Sequence, residues 1–350
     1  MYDLWEPTVL GPMTLRNRTV RSATNEHFSE RDGALTVTWA ETQIELARNE
    51  VGLVITGHLA VDRSQRADEG QPVLDKDTDF SLLHRAAEGV HAAGGCIVAQ
   101  LSHTGPKAPA NVNGVPPKSP ADFMPEELDI LVDQFTFAAL RCKEAGMDGV
   151  QVHCAHGYLL SSFLNPEQNL RTDDYGGSLE NRFRLHARIL ASVRAACGSD
   201  FALLVKADCN GSGNFHGLLG LFQQAGVDGV EVSGVDFDGR AGNKKPFFLK
   251  EVLDARTGIQ LPLILVGGIF SRKDAQAVLD AGIPFVSFSR ALICQPDFLA
   301  LMKAGQLEES PCLACNGCYK VYRQRPVRCV THGRPVPQLK KIFHSNYSLF

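Results

Sequence analysis

Two groups of side chains along the chain have the types and spacing for chemistry. In QVHCAHGYLL (151–160), His153 and His156 lie three residues apart where an apolar run ends, and Tyr158 follows. In CLACNGCYKVYRQRPVRC (312–329), four thiols are spaced C-x2-C-x2-C-x10-C. Imidazoles bind metals, donate hydrogen bonds or shuttle protons. H-x-x-H without a nearby carboxylate ligand is an incomplete zinc site, and a buried histidine pair is more often hydrogen-bonded filler, so these residues alone leave the role of the pair open. The quartet Cys312, Cys315, Cys318 and Cys329 differs, because short C-x2-C turns aim two sulfurs at one centre. It suits either zinc or an iron–sulfur cluster. Cys96, Cys142, Cys154, Cys197, Cys209 and Cys294 are scattered and read as ordinary buried thiols.

Composition narrows the classes of function. With 44% hydrophobic and 21% charged residues in 350, the chain can bury a large core. A net charge of −4 gives no general electrostatic case for a nucleic-acid partner. No apolar run approaches the ~18–20 residues that span a bilayer, and MYDLWEPTVL lacks the basic start and apolar stretch of a secretory signal. A cytoplasmic location and no membrane partner are the expectation.

What must position the histidines is visible as a rhythm. EAGMDGVQVH (144–153), QAGVDGVEVS (224–233) and DAGIPFVSFS (280–289) each end a helical pattern at Ala-Gly and enter a short run rich in Val or Phe. Glycine there suits a left-handed helix cap, and the run suits a strand buried on both faces. Similar runs at 19–24, 51–56, 96–101, 201–206 and 261–266 make eight strand candidates. Helical spacing fills 38–49, 78–92, 126–145, 178–196 and 272–281. Such alternation implies parallel strands with right-handed crossovers. Eight units fit a (β/α)8 TIM barrel better than a doubly wound sheet, since no GxGxxG follows the first strand. Barrel chemistry sits at the carboxyl ends of strands, where Asn25, Gln100, His153, Lys206, Ser233, Gly267-Gly268 and Ser289-Arg290 fall. Small residues after strands seven and eight suit an anion.

The run HCAHGYLLSSFLNPEQNLRTDDYGGSLENR (153–182) resembles the signature of the old yellow enzyme family of FMN-dependent oxidoreductases. Further similarity lies in LWEPTVLGPMTLRNR (4–18), QLSHTG (100–105) and VGGIFSRKDAQAVLDAGIPFVSFSRALICQPDF (266–298). The resemblance implies FMN, bound noncovalently, and NAD(P)H. Ser22, Ala23, Thr24 and Asn25 match the stretch along the flavin's redox edge, and Gly57 lies near the position approaching the ring from strand two. Gln100 matches the residue at the pyrimidine side, and Lys206 stands where many relatives carry arginine beside N1 and O2. Gly267, Gly268, Ser289 and Arg290 match the phosphate site. His153 and His156 match the donors to the substrate oxygen, and Tyr158 the acid that protonates the α-carbon. Asn25, where relatives often have Thr or Cys, has an amide able to donate to the flavin's O4.

The cysteine segment is similar to the [4Fe-4S] motif of trimethylamine dehydrogenase and 2,4-dienoyl-CoA reductase, with zinc or free thiols as the alternatives. Residues 1–305 are expected to form the FMN-binding barrel, and 306–350 a cysteine-rich extension and tail containing His332 and His344. The expected activity is NAD(P)H-linked reduction of activated C=C bonds. The alternatives are a dehydrogenase or demethylase passing electrons through a cluster, and a zinc-stabilised flavin-binding protein without turnover. The expected partners are a small-molecule substrate and NAD(P)H; a homo-oligomer stays open, as does an electron-transfer partner should a cluster be present.

Overall fold

The computed structural model describes residues 2–321 and 327–332, so the tail with His344 lies outside the described residues. Eight strands pair in parallel around a closed circuit. They are β1 (Thr19–Arg21), β2 (Leu53–Ile55), β3 (Cys96–Ser102) and β4 (Gly149–Cys154), then β5 (Ala202–Asp208), β6 (Gly229–Ser233), β7 (Leu263–Val266) and β8 (Phe285–Phe288). β8 returns to β1 through Val286↔Thr19 and Ser287↔Val20. Closure excludes the doubly wound alternative and establishes the TIM barrel. The intervening helices are α1 (Val37–Arg48), α2 (Ser81–Ala92), α3 (Pro125–Glu144), α4 (Leu179–Cys197), α5 (Phe215–Gln224), α6 (Leu249–Ala255), α7 (Arg272–Asp280) and α8 (Phe298–Lys303).

The repeated motif has a structural cause. Gly146, Gly226 and Gly282 adopt φ of +83°, +70° and +80°, the left-handed turn that ends each helix. The aspartate that follows in two of the repeats ties adjacent strands together. Asp148 donates its N–H to the Ile97 carbonyl at 3.0 Å, and its carboxylate accepts the Ile97 N–H at 2.7 Å. Asp228 does the same with Leu203, at 2.9 and 2.7 Å, and also pairs with Arg194 at 2.7 Å. The third repeat has Pro284 at this place and makes no such clamp.

Inside the barrel the two-residue period of the strands separates two layers. Val20, Leu53, Val98, Leu204, Ile264 and Phe285 form an inner apolar cluster. An antiparallel hairpin, Thr8–Leu10 with Met13–Leu15, supplies Leu10, Met13 and Leu15 to that cluster. The sequence reading had not found this hairpin: its strands are three residues each, too short for periodicity to show. Two residues further along the strands the inward positions turn polar, as Ser22, Gln100, Lys206, Glu231 and Ser287, all buried.

Asp228→Ala should cost roughly 1–3 kcal/mol, because the buried Leu203 N–H loses its acceptor. Urea unfolding of the variant against wild type measures it, and a change below about 0.5 kcal/mol would contradict the clamp.

Candidate active site

A cavity of about 420 Å³ opens at the carboxyl ends of the strands. Ser22, Ala23, Thr24, Asn25, Gln100, His153, His156, Tyr158, Lys206, Gly267, Gly268, Ser289 and Arg290 all line it. Gly57 does not. A Cβ there would lie 2.3 Å from the Thr24 carbonyl oxygen, so the glycine permits close approach of two strand ends. The residue that reaches the cavity from β2 is the next one, His58.

The deepest feature is a buried ion pair. Lys206 Nζ lies 3.3 Å from Glu231 and donates to Ser22 Oγ at 2.7 Å. Glu231 also accepts from Ser287 Oγ at 2.7 Å and Gln151 Nε2 at 3.1 Å. Gln100 donates its own amide to Gln151 Oε1 at 2.6 Å, which turns its amide nitrogen along the polar layer. Asn25 gives one amide hydrogen to Asp68 at 2.8 Å, so that hydrogen is committed away from the cavity.

The histidine loop is held from beneath. His156 sits at φ +64° and Gly157 at +70°, a turn rare for a residue with a side chain. Asp208, at the end of β5, accepts the His156 N–H at 2.7 Å and the Ser161 hydroxyl at 2.9 Å. The Lys107 ammonium donates to the His156 carbonyl at 2.6 Å. His156 Nε2 is 2.9 Å from Ser233 Oγ. The His153 ring stands edge-on to both His156 and Tyr158, with centroids 5.3 and 5.2 Å away. Burial, reinforced by nearby imidazoles and lysines, holds both histidines well below the usual imidazole range, so they are neutral at pH 7. Burial also pushes the Asp208 carboxyl up to about 7.

At the other end of the cavity, Gly267 and Gly268 adopt φ of +114° and +77°. A side chain on Gly268 would run into the Lys245 carbonyl. Arg290 is turned toward the cysteine-rich segment, donating to Asn316 Oδ1 and, at 3.4 Å, to the Ala314 carbonyl. That segment supplies Asn316, Tyr319 and Lys320 to the cavity wall. These three, with His58, Phe247, Phe248 and Phe270, escaped the sequence reading. His58 had a signal in its place at the end of a strand run, whereas Phe247, Phe248, Phe270 and Asn316 stand outside regular elements and Tyr319 and Lys320 lie in a five-residue helix, Gly317–Val321, too short to show a period.

The four thiols lie in this segment. Cys312 and Cys318 are buried, and Cys315 is exposed with its sulfur 3.9 Å from the Thr331 hydroxyl. The Cys329 sulfur accepts the His332 N–H at 3.4 Å. Cys294, from the scattered group, reaches both Cys312 and Cys329. Among the described residues no three His, Cys, Asp or Glu side chains are arranged to hold a metal ion.

Comparison with known proteins agrees with the fold. The model of the NADH:flavin oxidoreductase / NADH oxidase family matches residues 3–210. The chain is 30% identical to a metal reductase of Desulforamulus reducens, over 95% of this chain and 54% of that protein. It is likewise 30% identical to a probable NADH-dependent flavin oxidoreductase, YqiG, of Bacillus subtilis, over 87% of this chain and 88% of the relative. The chain thus spans about half the length of the first relative and most of the second. A solved old yellow enzyme homologue from Zymomonas mobilis superposes with a TM-score of 0.77 at 24% identity, covering 93% of this chain and 99% of that one. The chain belongs to the NADH:flavin oxidoreductase / NADH oxidase family.

Asp208 provides a test of the histidine-loop support. Its carboxyl binds a proton more tightly folded than unfolded, so its contribution to stability is greatest at low pH. That contribution falls as pH rises from about 4 to about 7. The stability difference between wild type and Asp208→Asn should therefore shrink or reverse across this window. A pH-independent difference in urea unfolding would contradict it.

Proposed function

We propose that the chain is an FMN-dependent oxidoreductase that draws on NAD(P)H and reduces C=C bonds activated by a neighbouring carbonyl or nitro group. The observation that carries the reading is the single cavity joining the His153–His156–Tyr158 corner, the buried Lys206 and the Gly267-Gly268 turn. Its volume falls within the ~300–1,000 Å³ of small-molecule and cofactor sites, and its fixed polar groups fit a flavin's polar edge and phosphate. Bound FMN would supply hydride transfer from NAD(P)H to the β-carbon of the alkene.

The residues of the chain supply the rest. Gly267, Gly268, Ser289 and Arg290 hold the phosphate, and Ser22–Asn25 and Gln100 border the ring. Lys206 presents a buried cation to the side of the ring that gains negative charge, as a point charge rather than a bidentate fork. His153 and His156, being neutral, donate hydrogen bonds to the substrate oxygen and draw charge off the alkene. Tyr158 gives its hydroxyl proton to the α-carbon. Among the described residues no carboxylate lines the cavity, which favours an oxygen-bearing acceptor over a cationic amine and so favours this reading over a demethylase.

We take residues 1–305 as the barrel and 306–350 as an extension, of which Asn316, Tyr319 and Lys320 line the cavity, in a protein acting in the cytoplasm. Among the described residues no helix is long and apolar enough to cross a membrane. For Cys312, Cys315, Cys318 and Cys329 the candidates are a [4Fe-4S] cluster and, as the alternative, zinc, and iron and zinc assays on anaerobically prepared protein decide between them.

Acid precipitation should release free FMN, and protein that stays colourless after reconstitution with FMN overturns the reading. In stopped-flow, Tyr158→Phe should slow reoxidation by an enone on the order of 10²-fold. It should spare reoxidation by a quinone, where no carbon is protonated. Equal rates with the enone would remove Tyr158 from the mechanism.

A further inference from the structure

The imidazole that the sequence reading missed has a defined polarity. His58 is buried, with 7% of its surface exposed, and lines the cavity near His153 and Tyr158. Its ring centroid lies 5.3 Å from that of Tyr158 and 6.0 Å from that of His153. Its Nδ1 faces two fully buried side chains, Gln71 Nε2 at 2.8 Å and Ser102 Oγ at 3.0 Å.

The orientation of the Gln71 amide decides the tautomer. Gln71 Oε1 accepts the Ala67 N–H at 2.6 Å, so the amide nitrogen must be the group that faces His58. The same nitrogen donates to the His58 carbonyl at 3.3 Å and to Ser102 Oγ at 3.0 Å. A proton on Nδ1 would set two N–H donors against each other at 2.8 Å, so Nδ1 accepts and the ring proton sits on Nε2. Burial keeps the ring neutral, lowering it to about 4, with Asp68 opposing and His27 and Lys206 assisting. Nε2 is not among the enclosed polar atoms that lack a partner, and no described residue hydrogen-bonds it. Its N–H therefore faces the cavity.

We propose that His58 is a specificity-determining residue whose Nε2–H binds a second oxygen of the substrate, so that the pocket selects alkenes flanked by two carbonyl groups. The inference rests on the proposed reduction of activated alkenes. The ring centroids of His58 and His153 stand 6.0 Å apart, a separation that suits oxygens on either side of a double bond, as in an ene-dione. The absence of a lining carboxylate among the described residues leaves nothing to repel the second oxygen. A buried donor of fixed direction penalises a substrate that leaves it unmatched, which is how such a group discriminates.

The test compares ketoisophorone, an ene-dione, with cyclohexenone, which has one carbonyl, in wild type, His58→Leu and His58→Gln. Leucine should lower kcat/KM for ketoisophorone on the order of tenfold, mainly through KM. The value for cyclohexenone should change less than about threefold, and glutamine, which keeps an N–H donor, should recover part of the loss. A binding readout that involves no turnover accompanies it. The affinity for cyclohexane-1,4-dione, followed by the absorbance of the bound flavin, should fall with leucine, while that for cyclohexanone should not. Gln71→Glu should produce the same selective loss with the imidazole retained, because a carboxylate there calls for the proton on Nδ1. Equal losses for both substrates, or no loss for either in variants that retain FMN, overturn the inference. A wild type that reduces neither substrate instead overturns the reading beneath it, and the inference with it.

Discussion

The buried pair of Lys206 and Glu231 is the constraint around which the interior of this barrel is arranged. Lys206 is 3% exposed and Glu231 wholly enclosed. Either charge alone at that depth would face a desolvation penalty of several kcal/mol, and removing one partner of such a pair typically costs about 3–5 kcal/mol. The neighbouring strands supply what both charges need: Ser22 from the end of β1, Gln151 from β4 and Ser287 from β8. An apolar plug from the N-terminal hairpin seals the layer below. The lysine is thereby fixed between Glu231 and Ser22 with one side toward the cavity, where it can act on a bound ring.

A second level of support holds the histidine loop. The histidine loop leaves β4 through two consecutive left-handed residues, a conformation that needs outside bonds to persist. Asp208 and Lys107 supply them at the two ends of one peptide, the N–H and the carbonyl of His156. Both anchors lie outside the signature that carries the family resemblance. The barrel staves on either side therefore determine where the imidazoles point, and the cysteine-rich segment does the same for Arg290 through Asn316.

Much of this was legible in the sequence because it is periodic. The eight strands and the Ala-Gly caps repeat, and the lining residues fall at strand ends that the barrel brings together. The exceptions share a physical character. The hairpin strands are too short to show alternation, and the aromatic wall of Phe247, Phe248 and Phe270 comes from loops. Gly57 and His58 differ by one residue, a shift that periodicity resolves poorly but that exchanges a packing position for a lining one. Asn25 and Gln100 line the cavity, yet their amides bond to Asp68 and Gln151, partners that only tertiary contact reveals. The thiol spacing was read correctly as a pattern, while the proximity of Cys294 to Cys312 and Cys329 had no linear signal.

The central claim is that the Lys206–Glu231 pair sets the electrostatic environment of a bound FMN. The midpoint potential of the flavin, measured by anaerobic spectroelectrochemistry in wild type, Lys206→Met and Glu231→Gln, tests it most directly. Loss of the cation should lower the potential, because reduced flavin loses its stabilising charge, and loss of the counter-carboxylate should raise it. Potentials unchanged in both variants, with FMN still bound, would contradict the account.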